Sequence, residues 1–264
     1  MKTAIVTGAA GGMGLASAKR LAQEGYGVFG LDIREPEGEI PFTFIRTDLT
    51  DQASVERAFR TVSETAERAD CLVHMAGVYD LNSLVEMDER DWDRIFAVNL
   101  TAVYRVNRVF LPLLGEGSRI VITSSELAPL DPLPFTGIYG ITKAALEKYA
   151  FSLRMEVQLN GIKVIVLRPG AVDTGLLTVS TDRLERFCAS TVHYRVSADR
   201  FRKIVGRVEA RKIPPEKIAD LLVRALRAKR PRYVYAVNRN PLLLMLNALP
   251  DGVQCRIFGG ILKP

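Results

Sequence analysis

Thr3-Ala4-Ile5-Val6-Thr7 runs without a break into Gly8-Ala9-Ala10-Gly11-Gly12-Met13-Gly14 and then into a stretch with helical spacing, and this junction constrains the chain most. Five uncharged residues, four of them β-branched, read as a strand buried on both faces. The glycines let the backbone turn sharply, and the N–H groups of a helix starting there carry a partial positive charge. Such a junction suits an anion, above all a phosphate, laid across the helix start. Glycine-rich turns also serve purely structural ends, so the inference rests on position, directly after a strand and opening a helix. Gly8, Gly12 and Gly14 match TGxxxGxG, while Gly8, Gly11 and Gly14 match GxxGxxG, and the loop alone does not choose between them.

The same rhythm continues. Residues 26–33, 42–46, 71–75, 119–123 and 163–167 predict further strands, and a last one is expected at 232–237. Helical spacing covers 14–24, 51–68, 92–114 (with a break near its first third) and 139–159. Buried strands alternating with helices predict an α/β fold, a doubly wound parallel sheet with helices on both faces. Beyond Pro169 the pattern changes: 175–212 is helical and polar, and Pro214-Pro215 opens a helix to about Arg227. No linker or repeat separates this part. One domain over 1–264 is expected, with 175–264 as a helical substrate-side region and C-terminal extension.

Composition excludes several classes. The 48% hydrophobic and 25% charged content is that of a globular protein, and no apolar run has the length of a membrane span. The start of the chain does not read as a signal peptide. Three widely spaced cysteines, Cys71, Cys188 and Cys255, suit free thiols in a reducing compartment, so a cytoplasmic location is expected. Two histidines, His74 and His193, stand outside any metal-binding pattern, and no metal site is expected. The net charge of +6 is concentrated in residues 199–240, where 13 Lys/Arg face 4 Asp/Glu. Without a reading motif this segment reads as a solvated helix face rather than a nucleic-acid site.

Asp32 closes the second predicted strand at the distance from the glycines where a carboxylate meets an adenosine ribose. It would repel a 2′-phosphate and so favours NAD over NADP. Arg34, two residues on, could pair with that phosphate, and NADP stays open.

Tyr139-Gly140-Ile141-Thr142-Lys143 places a phenol and an ammonium four residues apart, on one face of a helix. A nearby cation favours the phenolate. YxxxK is common by chance, but here it follows Asn99 in Val98-Asn99-Leu100 and Ser124-Ser125 after the fifth strand, and it precedes Pro169-Gly170. With TGxxxGxG, Asp48 in Thr47-Asp48-Leu49 and the pair Ala76-Gly77, this ordered set resembles the short-chain dehydrogenase/reductase family, in its shorter subgroup. The resemblance covers the chain from Lys2 to about Thr174 and implies a Rossmann-like fold.

The resemblance implies roles. Tyr139 would exchange the proton as a hydride moves between cofactor and substrate carbon. Lys143 would bind the nicotinamide ribose and lower the Tyr139 pKa, Ser125 would hold the substrate oxygen, and Asn99 would hold a water of a proton relay. Gly8, Gly12, Met13 and Gly14 with Asp32, Asp48, Leu49, Ala76 and Gly77 would take the adenosine and pyrophosphate end. Pro169, Gly170, Val172 and Thr174 would take the nicotinamide end. The sequence departs from the family where His74-Met75 stands in place of two asparagines; His74 is expected to bond the neighbouring strand. The loop from Ser125 to Tyr139 is one residue longer than usual. Ser124 could replace Ser125 if the register slips, and Ser125 is retained because Ser124 is expected to pack inward.

The expected partner is a small alcohol or carbonyl compound. Leu127, Leu130, Leu133, Phe135, Leu176, Leu177 and Phe187 are candidates for an apolar wall. The C-terminal run with Leu242-Leu243-Leu244-Met245-Leu246 is similar to members acting on lipophilic carbonyls, which points to a lipophilic secondary alcohol or ketone. The same run, with its basic flanks, is a weaker candidate for contact with a membrane surface. The helices near 100–114 and from Tyr139 form a subunit interface in the family, implying a homodimer or homotetramer. The rival readings are an NADPH-dependent carbonyl reductase and a non-catalytic NAD(P)-binding sensor or scaffold.

Overall fold

The computed structural model describes residues 1–208 and 212–263, without the side chains of 176–181 and 206–208. Its frame is a seven-stranded sheet in which every pairing is parallel, in the order β3-β2-β1-β4-β5-β6-β7. The strands are β1 Lys2–Thr7, β2 Tyr26–Asp32, β3 Thr43–Arg46, β4 Cys71–His74, β5 Arg119–Thr123, β6 Lys163–Pro169 and β7 Val234–Val237. The strand order reverses between β1 and β4, and the crevice beyond their carboxyl ends is where an open sheet of this kind binds its ligand.

The period-two alternation of β1 shows how the layers form. Ala4 and Val6 face α1 (Gly12–Gln23) and α8 (Glu216–Arg227), joining Leu21, Val73 and Leu222 in one core. Ile5 points the other way and packs with Leu72, Val106, Phe110 and Leu146 under α2 (Gln52–Ser63), α4 (Ala102–Phe110) and α5 (Gly137–Val157). Both faces of the strand are therefore dry, which is why the run carries no polar alternation.

The predicted helix over 51–68 ends at Ser63, where Thr65 and Ala66 turn back onto the Val62 carbonyl and lead the chain into the sheet. The predicted 92–114 helix is α3 (Glu89–Phe96), a π-helical turn over Ala97–Thr101, and α4. Its start is set by Asp88, whose carboxylate caps the Arg90 N–H at 2.8 Å. The predicted 175–212 segment contains α6 (Gly175–Ser190) and α7 (Arg195–Val208). The break between them has a tertiary cause: Glu86, far away in sequence, accepts from Thr191 Oγ1 and from the Val192 and His193 amides at 2.5–3.0 Å. Two short helices, α9 (Pro241–Asn247) and α10 (Asp251–Leu262), close the chain, and α10 has no counterpart in the sequence reading.

Among the described residues, no helix is long and apolar enough to cross a membrane, and no cluster of His, Cys, Asp and Glu could hold a metal.

Candidate active site

The turn after β1 forms because its glycines allow what a side chain would forbid. Gly8 has φ +72°, and a β-carbon on it would lie 2.7 Å from the Ala76 amide nitrogen. A β-carbon on Gly14 would lie 1.9 Å from the Gly8 carbonyl oxygen. The chain thus folds tightly enough to aim the start of α1 at open space. Gly11 caps that helix without any side-chain acceptor, and the first turn holds no acidic residue. Its N–H groups are left for an external anion.

In front of this turn lies a cleft of about 600 Å³, lined by Gly8, Gly12, Met13, Gly14, Asp32, Asp48, Leu49, Ala76, Gly77 and Thr174. Asp32 ends β2 with both carboxylate oxygens engaged, taking the Ala10 amide at 3.0 Å and the Arg34 amide at 3.1 Å. Asp48 accepts from the Thr50 amide and hydroxyl at 2.8 and 2.7 Å, fixing the loop that carries Leu49. The glycine cradle, an uncapped helix start and a carboxylate at the end of β2 fit a dinucleotide. Arg34 lines the cleft and is solvent-exposed.

A second cavity of about 200 Å³ adjoins it and holds Ser125, Tyr139, Lys143, Pro169, Gly170 and Val172, with Met13, Gly77 and Thr174 lining both. α5 buries one face through Tyr139, Thr142, Lys143, Leu146 and Ala150, so the helical spacing that anchors it in the core also aims Tyr139 and Lys143 at the cavity. The Lys143 ammonium donates to the Thr123 carbonyl at 3.1 Å, and burial pushes it down to about 8 against the charge of Glu147. Burial pushes the Tyr139 phenol up to about 12, and its hydrogen bond to Ser125 acts in the opposite direction. Desolvation therefore sets the direction, and the lowering expected from Lys143 is not among the causes that act on the phenol.

Ser125 and Ser124 are both buried cavity residues. Ser125 bonds Tyr139 and accepts the Leu127 amide at 3.2 Å, whereas Ser124 Oγ has no partner among the described residues. The register therefore gives Ser125 the contact with the phenol.

Asn99 lines neither cavity. It sits in the π-helical turn and spends its side chain behind the wall: Oδ1 accepts the Val78 amide at 2.8 Å, and Nδ2 donates to the Val78 carbonyl and Thr142 Oγ1 at 2.9 and 3.1 Å. Thr142 in turn donates to the Tyr139 carbonyl at 2.8 Å. In this arrangement the Asn99 side chain braces the Val78 segment against α5.

His74 is also placed differently from expectation. Its Nε2 meets Asn107 Oδ1 of α4 at 2.8 Å instead of bonding a neighbouring strand, and burial pushes it down to about 4, so the imidazole is neutral. Of the expected apolar wall, Leu127 is the one among the described residues that lines the cavity. Phe135, at φ 64°, packs with Phe187, Tyr194 and Phe201 in a satellite core under α6 and α7. Leu130 and Leu133 lie outside the cavity lining, and the side chains of Leu176 and Leu177 lie outside the described residues.

Several site residues escaped the sequence reading. Tyr79 packs edge-on against Tyr139 with ring centroids 4.5 Å apart. Arg183 of α6 ion-pairs with the buried Asp80, which Arg94 of α3 also approaches at 3.5 Å, and this cluster ties α6 to the mouth of the dinucleotide cleft. Glu126, Asn238, Arg239, Asn240, Pro241 and Leu243 form one side of the smaller cavity. Residues so far apart in sequence leave no spacing signal.

The comparisons bear on the family and the fold. The family model described as short chain dehydrogenase matches residues 2–185. The chain is 31% identical over 193 residues to an uncharacterized oxidoreductase of Staphylococcus epidermidis, covering 70% of this chain and 84% of that one. It is 30% identical over 190 residues to the 2,3-dihydro-2,3-dihydroxybenzoate dehydrogenase of Escherichia coli, covering 70% and 76%. The fold is similar to that of a 3-ketoacyl-(acyl-carrier-protein) reductase from Brucella melitensis complexed with NADH, with TM-score 0.72, 22% identity and coverage of 89% and 96%. With its parallel sheet, its glycine cradle and the Ser125–Tyr139–Lys143 constellation beside it, the chain belongs to the short-chain dehydrogenase family of oxidoreductases.

Proposed function

We propose that the protein transfers a hydride between NAD(H) and a secondary alcohol or its carbonyl counterpart, with Tyr139 as general acid and base. The observation that carries this reading is the buried Tyr139 phenol, held by Ser125 in a cavity that opens onto the dinucleotide cleft. A bound nicotinamide supplies or accepts the hydride. In the oxidative direction Tyr139 takes the alcohol proton as the C–H bond breaks; in reduction it returns that proton to the oxygen. Ser125 steadies the partial charge on that oxygen. Lys143, held by the Thr123 carbonyl, binds the ribose hydroxyls and offsets charge on the phenolate. Asp48 and Leu49 hold the adenine end, and Val172 and Thr174 the carboxamide end.

Asp32 favours NAD. Its carboxylate stands at the end of β2 in the cleft, where it accepts ribose hydroxyls and repels a 2′-phosphate. Arg34 in the same cleft is the feature that favours the NADPH-dependent reductase reading, and titration of both cofactors separates the two.

Met13, Leu127, Pro241 and Leu243 give the smaller cavity an apolar side that suits a lipophilic substrate. Residues 175–264 supply part of that side through α9 and cover the cleft mouth through α6, which supports their assignment to substrate binding within a single domain. The Escherichia coli relative is named for a dihydroxy compound, which supports an alcohol as the substrate class. Exposed apolar side chains on α4 and α5, Tyr104, Phe151 and Met155 among them, support a homodimer formed through those helices.

The test is turnover of a panel of ketones with NADH and of alcohols with NAD. Turnover by the native protein and its loss in Tyr139→Phe are expected. Binding of NADH with no turnover of any substrate would instead support the sensor reading.

A further inference from the structure

Burying a carboxyl in a substrate cavity costs stability unless something there uses it. Glu126, the residue after Ser125, is 8% exposed and lines the same cavity as Ser125 and Tyr139. Its amide donates to the Pro169 carbonyl at 2.9 Å, which holds it at the end of β6. Oε2 accepts the Asn240 amide at 2.6 Å. Oε1 stands against Gly170, where an added β-carbon would come within 2.9 Å of it. Burial pushes the carboxyl up, while the Asn240 N–H and the Arg239 charge favour the anion. A carboxylate offers about four acceptor positions, and among the described residues the Asn240 amide takes one, leaving others for whatever enters the cavity.

Ser125, Glu126 and Tyr139 line one cavity of about 200 Å³. A substrate whose reacting oxygen sits on Ser125 and Tyr139 has its adjoining atoms enclosed in that cavity together with Glu126. Resting on the dehydrogenase reading above, we propose that Glu126 is a specificity-determining residue that accepts a hydrogen bond from a hydroxyl or ammonium group next to the reacting carbon. The substrate class is then vicinal diols, α-hydroxy ketones or amino alcohols on an apolar body, in preference to simple alcohols and ketones. Leu127 and Leu243 hold that body.

The Asn240 bond gives Glu126 a structural role as well, fastening the segment before α9, and the test has to separate the two. In Glu126→Gln the amide oxygen still accepts the Asn240 N–H, but the remaining group is a donor and opposes an ammonium. A matched trio (a secondary alcohol, its vicinal diol and its amino alcohol) is compared by kcat/KM in the native protein and in Glu126→Gln. The native protein is expected to favour the diol and the amino alcohol by about tenfold or more over the simple alcohol. Glu126→Gln is expected to lose about tenfold on the amino alcohol relative to the simple alcohol. Equal native values for all three, or an equal loss on all three in the variant, would overturn the assignment. The same comparison is made without turnover by titrating the three compounds into the protein–NADH or protein–NADPH complex and following nicotinamide fluorescence; equal affinities overturn it there too. Failure to bind either dinucleotide defeats the dehydrogenase reading and this one with it, whereas binding with a flat ligand profile defeats this one alone.

Discussion

The Lys143 ammonium lies 5.7 Å from the centroid of the Tyr139 ring and spends its hydrogen bond on the Thr123 carbonyl, not on the phenol. The two groups are neighbours in charge without being bonded, so their removal should have different consequences. Tyr139→Phe keeps the ring and its edge contact with Tyr79 but removes the proton carrier. Turnover should fall by about a thousandfold while NADH binding, read by fluorescence, is unchanged. Lys143→Met should lose turnover and also weaken NADH binding.

The protonation states set the pH profile of carbonyl reduction. Burial keeps the proton on Tyr139 up to about 12, so loss of the acid does not limit reduction near neutrality. Lys143 is pushed down to about 8, and above that pH its charge is lost. We expect kcat/KM for reduction to fall as pH rises through about 8, and Lys143→Arg to shift that fall beyond the accessible range. A profile identical in the variant would remove Lys143 as its origin.

Asp32 predicts cofactor choice. In Asp32→Ser the repulsion of a 2′-phosphate disappears and Arg34 remains in the cleft. The NADPH-to-NADH affinity ratio should rise by at least about tenfold. An unchanged ratio would mean that Asp32 does not face the adenosine ribose.

His74 predicts an acid-sensitive core. Its pKa is about 4 in the folded protein against 6.5 for the free side chain, so the unfolded chain binds the extra proton between these values. Stability is fully present above about 6.5 and is lost as pH falls towards 4, by an amount on the order of 3 kcal/mol. His74→Asn removes the titration. Urea midpoints at pH 7 and pH 5 should differ less for the variant than for the native protein.

Gly14 predicts a steric limit. Gly14→Ala would force a methyl group to within 1.9 Å of the Gly8 carbonyl, and helix and turn would have to separate. We expect a loss of about 3 kcal/mol in urea unfolding together with loss of NADH binding. Gly11→Ala is the control for stability alone, because a β-carbon there meets no protein atom within 4 Å.

What could be read from the chain alone followed from local chemistry. The apolar stretch Ile120-Val121-Ile122 located β5, because the middle of a strand buried on both faces must be apolar. The glycines marked the cradle because only a residue without a β-carbon fits those positions. The four-residue spacing of Tyr139 and Lys143 already implied one helix face. Tertiary structure decided the rest. Asn99 braces Val78 because the π-helical turn swings it behind the wall, and no spacing rule forecasts a π turn. Glu86 breaks the helical run after Ser190 with a carboxylate contributed from a loop about a hundred residues earlier. Glu126 becomes a cavity residue only once Asn238–Leu243 fold over it, a contact spanning 114 positions. Spacing along the chain reports only what lies within a turn or two of helix or strand; a buried charge and its partner meet through the packing of distant elements, and only the folded structure shows the pair.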